Sequence, residues 1–451
     1  MKLRTTDRKS IARRQMRAAA LYVVAAGSVA RAPSACAEYT IYRGAARGTE
    51  VVLNVDAIGA WYGSNGAWFG ESESYLGASV DRWADFGIEP TVSLETDAGR
   101  GRLFAAVSGV YASTLGDDAS GSTIGFDDTD SLTLEQAHIG WRADDIFAAL
   151  DGDAFSIAVG RQDYGIGSGL LIDDGGADGG ERGGWYLGMR KAFAQSLVAS
   201  LDSETWLVEA FTLENQPREG DTPGDARGAN IEYRFGERAA LGTSYLRVGT
   251  EDPEGTSESL DVYSVRASWR AASGFELAAE HVDESSGQID AKGYYAEIGY
   301  VFESRVWSPE IRFRRARFSG DDPATALDER FREIAYGSTD WTSWYQGEIT
   351  GEYVLGNGNL ESELVRVTFT PSERVTFDAM YYRFTLDEPA SFGATSSDWG
   401  DELNFTIDWV ATEQVSVTGV LGVLQPGDAA EQIVGGGSRW LHTMLLVSYS
   451  W

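Results

Sequence analysis

Cysteine is all but missing from this chain. Cys36 stands alone near the N-terminus, so neither a disulfide framework nor a thiolate metal site can be built. Histidine is nearly as scarce. His138, His281 and His442 fall in unrelated segments, and no nucleophile-elbow motif accompanies them. His138 sits where it could titrate, but a structural or pore-lining role suits it better. No enzymatic activity is expected. Long apolar runs are absent too. No stretch beyond the N-terminal region reaches the length of a membrane helix, and mean hydropathy is −0.25. A helical membrane protein is therefore excluded. Positive charge is also in short supply, at 37 Lys and Arg against 69 Asp and Glu. That balance argues against nucleic acid as a partner. A β-barrel survives these exclusions, because only alternate residues of its strands need to be apolar.

The N-terminus departs from this composition. A basic region (Lys2, Arg4, Arg8, Lys9, Arg13, Arg14, Arg17) precedes a short apolar run from Ala18 to Ala30 and then Ala35-Cys36-Ala37. This is the order of a secretory signal peptide with cleavage after Ala37. Arg13-Arg14 lacks the apolar motif of a twin-arginine signal, and Pro33-Ser34-Ala35 is a poor lipobox. Residues 1–37 are read as the signal peptide and 38–451 as one outer-membrane β-barrel domain. Taking eight from 37 basic and one from 69 acidic residues leaves 29 against 68, a formal charge of −39.

What is abundant is alternation. The last segment places Leu441, Thr443, Leu445, Val447, Tyr449 and Trp451 on one face and His442, Met444, Leu446, Ser448 and Ser450 on the other. Such a strand with an aromatic end would be an open, sticky edge unless it closes on the first strand. Similar dyads recur from Val51 onward. Phe86, Ile88, Val92 and Leu94 oppose Asp85, Glu89, Ser93 and Glu95; Ile311 and Phe313 oppose Glu310, Arg312 and Arg314; Leu403, Phe405, Ile407 and Trp409 oppose Asn404, Thr406 and Asp408. In a barrel the apolar faces meet lipid and the charges line a wet lumen. A soluble sandwich would show the same alternation. The connections separate the two. Very short ones (97–101, 202–205, 236–238, 273–274, 371–373, 412–414) alternate with long acidic Gly/Asp/Ser-rich ones (63–82, 114–131, 164–193, 214–227, 250–260, 318–343, 386–401, 424–439) over most of the chain. That sorting suits a barrel with turns at one rim and loops at the other. Counting every segment gives about nineteen strands, yet a barrel with both ends on one side needs an even number. Moving 344–354 into a large loop over or into the mouth restores the alternation. The expected fold is all-β, a closed antiparallel transmembrane barrel of about 18 strands.

Three stretches carry more than periodicity: Leu132-Thr-Leu-Glu-Gln-Ala-His-Ile-Gly-Trp141, then Val159-Gly-Arg-Gln-Asp-Tyr-Gly-Ile-Gly-Ser-Gly-Leu-Leu-Ile-Asp-Asp174, and a third running from Arg312-Phe-Arg-Arg through Ser319-Gly-Asp-Asp-Pro323 to Tyr345-Gln-Gly-Glu-Ile349 and Glu352-Tyr353. In order and spacing they resemble the alginate export family of outer-membrane porins, over nearly the whole mature chain. The resemblance implies a monomeric barrel whose arginine-rich constriction passes an anionic polysaccharide outward.

The residues agree with that chemistry. Arg142, Arg234, Arg266, Arg270, Arg312, Arg314 and Arg366 share lumen parity, and guanidinium binds carboxylates in a fork. Arg161, Arg190 and Lys191 sit in or beside the motif loop and are expected to reach the mouth, and Glu348 lies in the third motif. These eleven are the expected pore-lining residues. Each arginine has a second available role, which is to pair with a lumen acid such as Glu232, Glu310 or Asp408 and stiffen the wall. The acidic loops could bind Ca²⁺ through Asp173, Asp174, Asp178 and Glu181, but no spacing fits an EF-hand loop, and a solvated acidic loop is preferred. No metal or cofactor is expected. The expected function is facilitated diffusion of an alginate-like polyuronate or its fragments. The alternative is a general porin for small acidic sugars or other solutes. Expected partners are the acidic sugar, outer-membrane lipid, the barrel-assembly machinery and periplasmic export proteins.

Overall fold

A computed structural model of the protein describes residues 39–44, 48–70, 80–117, 128–144, 154–176, 178–184, 186–216, 224–251, 257–303, 305–337 and 346–451. The expected signal peptide, with Cys36, lies outside them. Among these residues nineteen strands run in sequence order. They are β1 (Tyr39–Gly44), β2 (Thr49–Asn65), β3 (Val80–Asp97), β4 (Gly101–Asp117), β5 (Asp130–Ala143), β6 (Phe155–Gln162) and β7 (Phe193–Asp202). Next come β8 (Trp206–Glu214), β9 (Gly224–Arg234), β10 (Ala239–Glu251), β11 (Ser257–Arg270), β12 (Phe275–Ser285) and β13 (Asp290–Val301). The last are β14 (Glu310–Phe318), β15 (Leu360–Ser372), β16 (Val375–Thr385), β17 (Asp398–Val410), β18 (Val415–Pro426) and β19 (Trp440–Ser450).

Each strand from β2 pairs antiparallel with the next, and β19 returns to β2, so β2–β19 form a closed barrel of 18 strands. Closure satisfies every wall backbone group without an exposed edge, which hydrocarbon demands. The nineteenth strand is short and stands outside the count. β19 reaches only Asp56 of β2, and Trp451 exchanges two backbone hydrogen bonds with Val55. Below that point β1 takes over the same edge, pairing Tyr39 with Leu53 and Gly44 with Thr49. The Tyr39 and Trp451 rings stack at 5.9 Å where the two meet.

The apolar half of each dyad points outward. Phe86, Val265, Ile311, Phe313, Phe405, Trp409 and Leu445 are all exposed on the outer surface. At the rim of short turns aromatic rings meet edge to face, with Trp206, Tyr233 and Phe235 in one row and Phe275, Tyr300 and Phe302 in another. Such amphipathic rings belong at the membrane–water interface. One connection breaks the alternation of rims: β12 and β13 are joined at the loop rim by the four residues 286–289 alone. Of the segment expected over or into the mouth, residues 344 and 345 lie outside the described residues and the rest lies inside the barrel. Gly347–Val354 forms a π-helical turn packed inside the barrel against β17, β18 and β19, and supplies no wall strand.

Candidate functional site

The site of such a molecule is its lumen, and the loop half of this lumen is occupied. The described parts of the connections 163–192 and 319–359 both fold inward. They are stitched together by backbone hydrogen bonds from Asp173 and Asp174 to the Ala335 carbonyl, from Ala335 to Leu171, and from Gly337 to Gly169. Two apolar cores result. One packs Ile166, Leu171, Ile172 and Phe331 against inward residues of β8–β14 such as Phe211, Leu246, Val262 and Phe318. The other packs Ile349, Tyr353 and Met189 against Tyr62, Trp83, Tyr382, Trp399 and Trp440. The inward faces of these strands are therefore apolar toward the loop rim and polar toward the turn rim.

The first two sequence motifs interlock. Between β4 and β5 the register slips by one residue, leaving a bulge at Glu135-Gln136. The bulge holds Glu135, only 1% exposed, against the loop. Its carboxylate accepts the N–H groups of Lys191 and Ala192 at 2.8 and 2.7 Å, with Arg161 Nη2 at 3.9 Å. The third motif is clamped similarly. Glu402 of β17 accepts the N–H groups of Ile349 and Thr350 at 2.8 and 2.9 Å and the Thr350 hydroxyl at 2.7 Å. On the other side Tyr353 Oη lies 3.3 Å from His442 Nε2, whose Nδ1 meets Ser64 Oγ at 2.9 Å.

Toward the turn rim, six of the expected arginines come together on the inward wall of β9–β15. Arg266 reaches across Gly242 to Ser244 at 2.9 Å and Asn230 at 2.7 Å. A Cβ at Gly242 would lie 2.6 Å from its Cζ, so the glycine makes the crossing possible. Arg312 repeats the device over Gly299, meeting Glu297 at 2.7 Å and also Glu276 and Glu310. Arg270 pairs with Glu276, Arg234 with Asp202 and Glu232, and Arg366 with Asp378 at 2.7 Å; Arg314 is buried beside them. Arginines and acids are thus interleaved along one wall. Of the suggested acid partners, Glu232 and Glu310 hold arginines, whereas Asp408 accepts a hydrogen bond from Thr418. Across the lumen, β2 and β3 carry Asp56, Asp85 and Glu89, met by Ser450, Thr114 and Ser108.

The remaining expected residues are spread out. Arg142 stands apart on β5, with Glu95 at 4.0 Å and the Phe104 ring beneath it. Arg161 is tied to the Glu135 carbonyl and Gln216. Arg190 does not reach the mouth: its side chain is fully buried and bonds Asp178, Thr133 and Ser131, which makes it a tether of the inward loop. Lys191 follows it with its backbone held by Glu135. Glu348 is buried in the first turn of the π-helical segment, 4.0 Å from His442, and burial drives its carboxyl upward from the usual range. Asp174, on the inward loop, is pushed up to about 7 by burial, against the pull of Lys191. No three of the acids or histidines gather into a metal cluster among the described residues. Glu135 and Glu402 were not singled out from sequence. Their only signal was an acid of inward parity opposite a glycine-rich segment.

The pattern of the family described as alginate export matches residues 70–439. Among solved structures, a BenF-like porin from Pseudomonas fluorescens Pf-5 superimposes with a TM-score of 0.58 at 12% identity, covering 89% of this chain and 98% of that one. Pseudomonas aeruginosa OccK2 (OpdF) gives 0.56 at 14% identity, with 89% and 97% covered. OccK7 (OpdD) from the same organism gives 0.55 at 12%, with 88% and 99% covered. A search of individually curated proteins finds no significant match.

Proposed function

Because the chain belongs to the alginate export family and is built as an outer-membrane porin barrel, we propose that it passes an anionic polysaccharide of the polyuronate type, or its fragments, by facilitated diffusion along the arginine wall of β9–β15. The observation that carries this reading is the interleaving of Arg234, Arg266, Arg270, Arg312 and Arg366 with wall carboxylates. A uronate carboxylate is chemically the same group as the Glu and Asp carboxylates already there. A passing sugar can therefore exchange with them one at a time, without stripping an arginine of its counter-charge. Transport needs binding strong enough for entry and weak enough for exit, and exchange of like for like supplies both. The alternative, a porin for small acidic sugars, draws on the inward loops that fill the loop half of the lumen.

Single-channel recording in planar bilayers tests the reading. Anion-selective reversal potentials in a salt gradient, with block by polyuronate, are expected. Both should fade when Arg312, Arg314 and Arg366 are neutralised. Cation selectivity with no block would refute the substrate and leave the barrel standing.

A further inference from the structure

The outer surface of β14–β16 changes character toward the loop rim. On β14 the exposed apolar residues Ile311 and Phe313 are followed, on the same face, by Arg315 and Arg317. On β16 Phe377 and Tyr381 are followed by Arg383, and on β15 Val365 gives way to Glu363 and Glu361. Strand register sets these charges in rows. Arg315 stands opposite Glu363, which stands opposite Arg383; one step nearer the rim, Arg317 stands opposite Glu361. Along β14 the Cα atoms of Arg315 and Arg317 are about 7 Å apart, and across β15 Arg383 is about 10 Å from Arg315. Their height is that of a membrane surface. Arg383 follows Val375, the first residue of β16, by eight positions, a rise of about 20 Å for a strand tilted by ~40°, against an apolar band ~25 Å tall. Just below it Tyr381 donates its hydroxyl to Asp401 at 2.7 Å, as suits a ring at the interface. The arginines keep free donors. Arg315 directs Nη2 to Glu361 at 3.0 Å and has Glu363 3.8 Å from Nη1, while Nε makes no hydrogen bond among the described residues. Arg317 directs Nε to Asp387 at 2.6 Å and Glu361 at 3.3 Å, which leaves both Nη groups without a hydrogen bond among the described residues. Arg383 is exposed and makes no ion pair or hydrogen bond among the described residues.

We propose that Arg315, Arg317 and Arg383 form a binding site for the phosphorylated headgroup of a lipid in the leaflet at the loop rim. Its acyl chains lie along Phe313, Val365 and Tyr381, which continue the same outward faces toward mid-membrane. A guanidinium meets phosphate oxygens in a fork, and the free N–H groups described above can do so without breaking an existing ion pair. Glu363 stands between Arg315 and Arg383 and repels an anion shared by the two. A headgroup carrying two phosphates therefore suits the row better than one phosphate does. One phosphate takes the Arg383 fork and the other the Nη groups of Arg317, with Arg315 Nε between them. Glu361 and Glu363 hold Arg315 along the wall, and Asp387 and Glu361 hold Arg317. The site thus lies on the lipid side of the barrel and takes no part in what passes through the lumen. An inorganic anion would meet the same arginines but would gain nothing from the apolar face beneath them, which is why the occupant is a lipid.

The test titrates the full barrel in detergent with lipid and counts bound copies by native mass spectrometry. The probes are diphosphoryl lipid A, the same glycolipid stripped of both phosphates, and inorganic phosphate as competitor. The diphosphorylated lipid should bind about tenfold more tightly than the stripped one. The triple variant Arg315→Gln/Arg317→Gln/Arg383→Gln should lose that preference. Glu363→Gln, which removes the acid between two of the arginines, should instead raise affinity about threefold. Ion conductance of each variant in planar bilayers confirms that the barrel has assembled. Equal binding of the two glycolipids, or a phosphate preference that survives in the triple variant, overturns the proposal. Displacement of the glycolipid by inorganic phosphate at equal concentration overturns it too, because the site would then read a free anion and not a lipid.

Discussion

Arg312 is the most heavily loaded cation of the wall, and its removal gives the sharpest prediction. Its guanidinium serves Glu276, Glu297 and Glu310, with side-chain exposures of 6% for the arginine and 3%, 4% and 19% for the acids. The three losses are unequal in Arg312→Gln. Glu276 keeps Arg270 as a partner. Glu310 lies nearer water and relaxes cheaply. Glu297 is left as a buried charge without the arginine, and stranding such a partner costs about 3–5 kcal/mol. Since Gln retains one donor, the expected loss is at the lower end, about 3 kcal/mol. The double variant Arg312→Gln/Glu297→Gln removes the stranded charge as well and should recover about 1–2 kcal/mol of it. Guanidinium unfolding of the detergent-solubilised barrel, followed by tryptophan fluorescence, measures both. A single variant within about 0.5 kcal/mol of the parent, with no recovery in the double, would refute the view that these acids depend on the arginine.

Gly242→Val forces the Arg266 guanidinium off Ser244 and Asn230, and should cost two charge-assisted hydrogen bonds, about 3 kcal/mol in the same assay, whereas a substitution at Gly236, where a Cβ meets nothing, costs only its backbone strain. Glu402→Ala releases the π-helical turn from three hydrogen bonds and should add open-state flicker to the single-channel current without unfolding the barrel. Asp174 holds a proton below about pH 7 and is negative above it. Because its folded pKa is raised from 3.8, the loop loses stability as pH rises from about 4 to about 7, and lumen charge falls over the upper part of that window. Reversal potentials should thus show weaker anion preference at pH 8.5 than at pH 6, and Asp174→Asn should flatten the difference. A cysteine pair at Ile172 and Ala335 should cross-link on oxidation and leave conductance unchanged, because the two loops are already joined there.

Much of the wall was legible from residue order. The dyads of β3, β14 and β17 fix which face meets lipid, since one face is nearly free of charge. The parity of short and long connections takes 344–354 out of the wall and over or into the mouth, and Gly347–Val354 lies inside the barrel. The pairing of arginines was not legible. Arg312 reaches Glu276 by crossing β13 at Gly299, and that depends on register between strands, which alternation within a strand does not encode. Nor did sequence show that Arg190 turns away from the passage, because its partners Asp178, Ser131 and Thr133 come from another bend of its own loop and from β5. The bulge at Glu135-Gln136 leaves His138 and Arg142 facing inward on one side of it and Glu135 on the other, which no single parity can describe.

The shared edge of β2 has a consequence for how the molecule is made. Trp451 and Tyr39 lie side by side although almost the whole chain separates them in sequence. The seam therefore cannot be sealed until β19 has been delivered, and until then the edge of β2 presents unpaired backbone to its surroundings. Zipping neighbouring hairpins is a local event, but the final stitch is the most distant in sequence among the described residues, and loop-closure entropy makes such contacts slow. A nascent wall held open at this seam is a zipper with its slider at the start. Whatever shields the edge of β2 in the interval governs whether the ring closes on itself or on a neighbour.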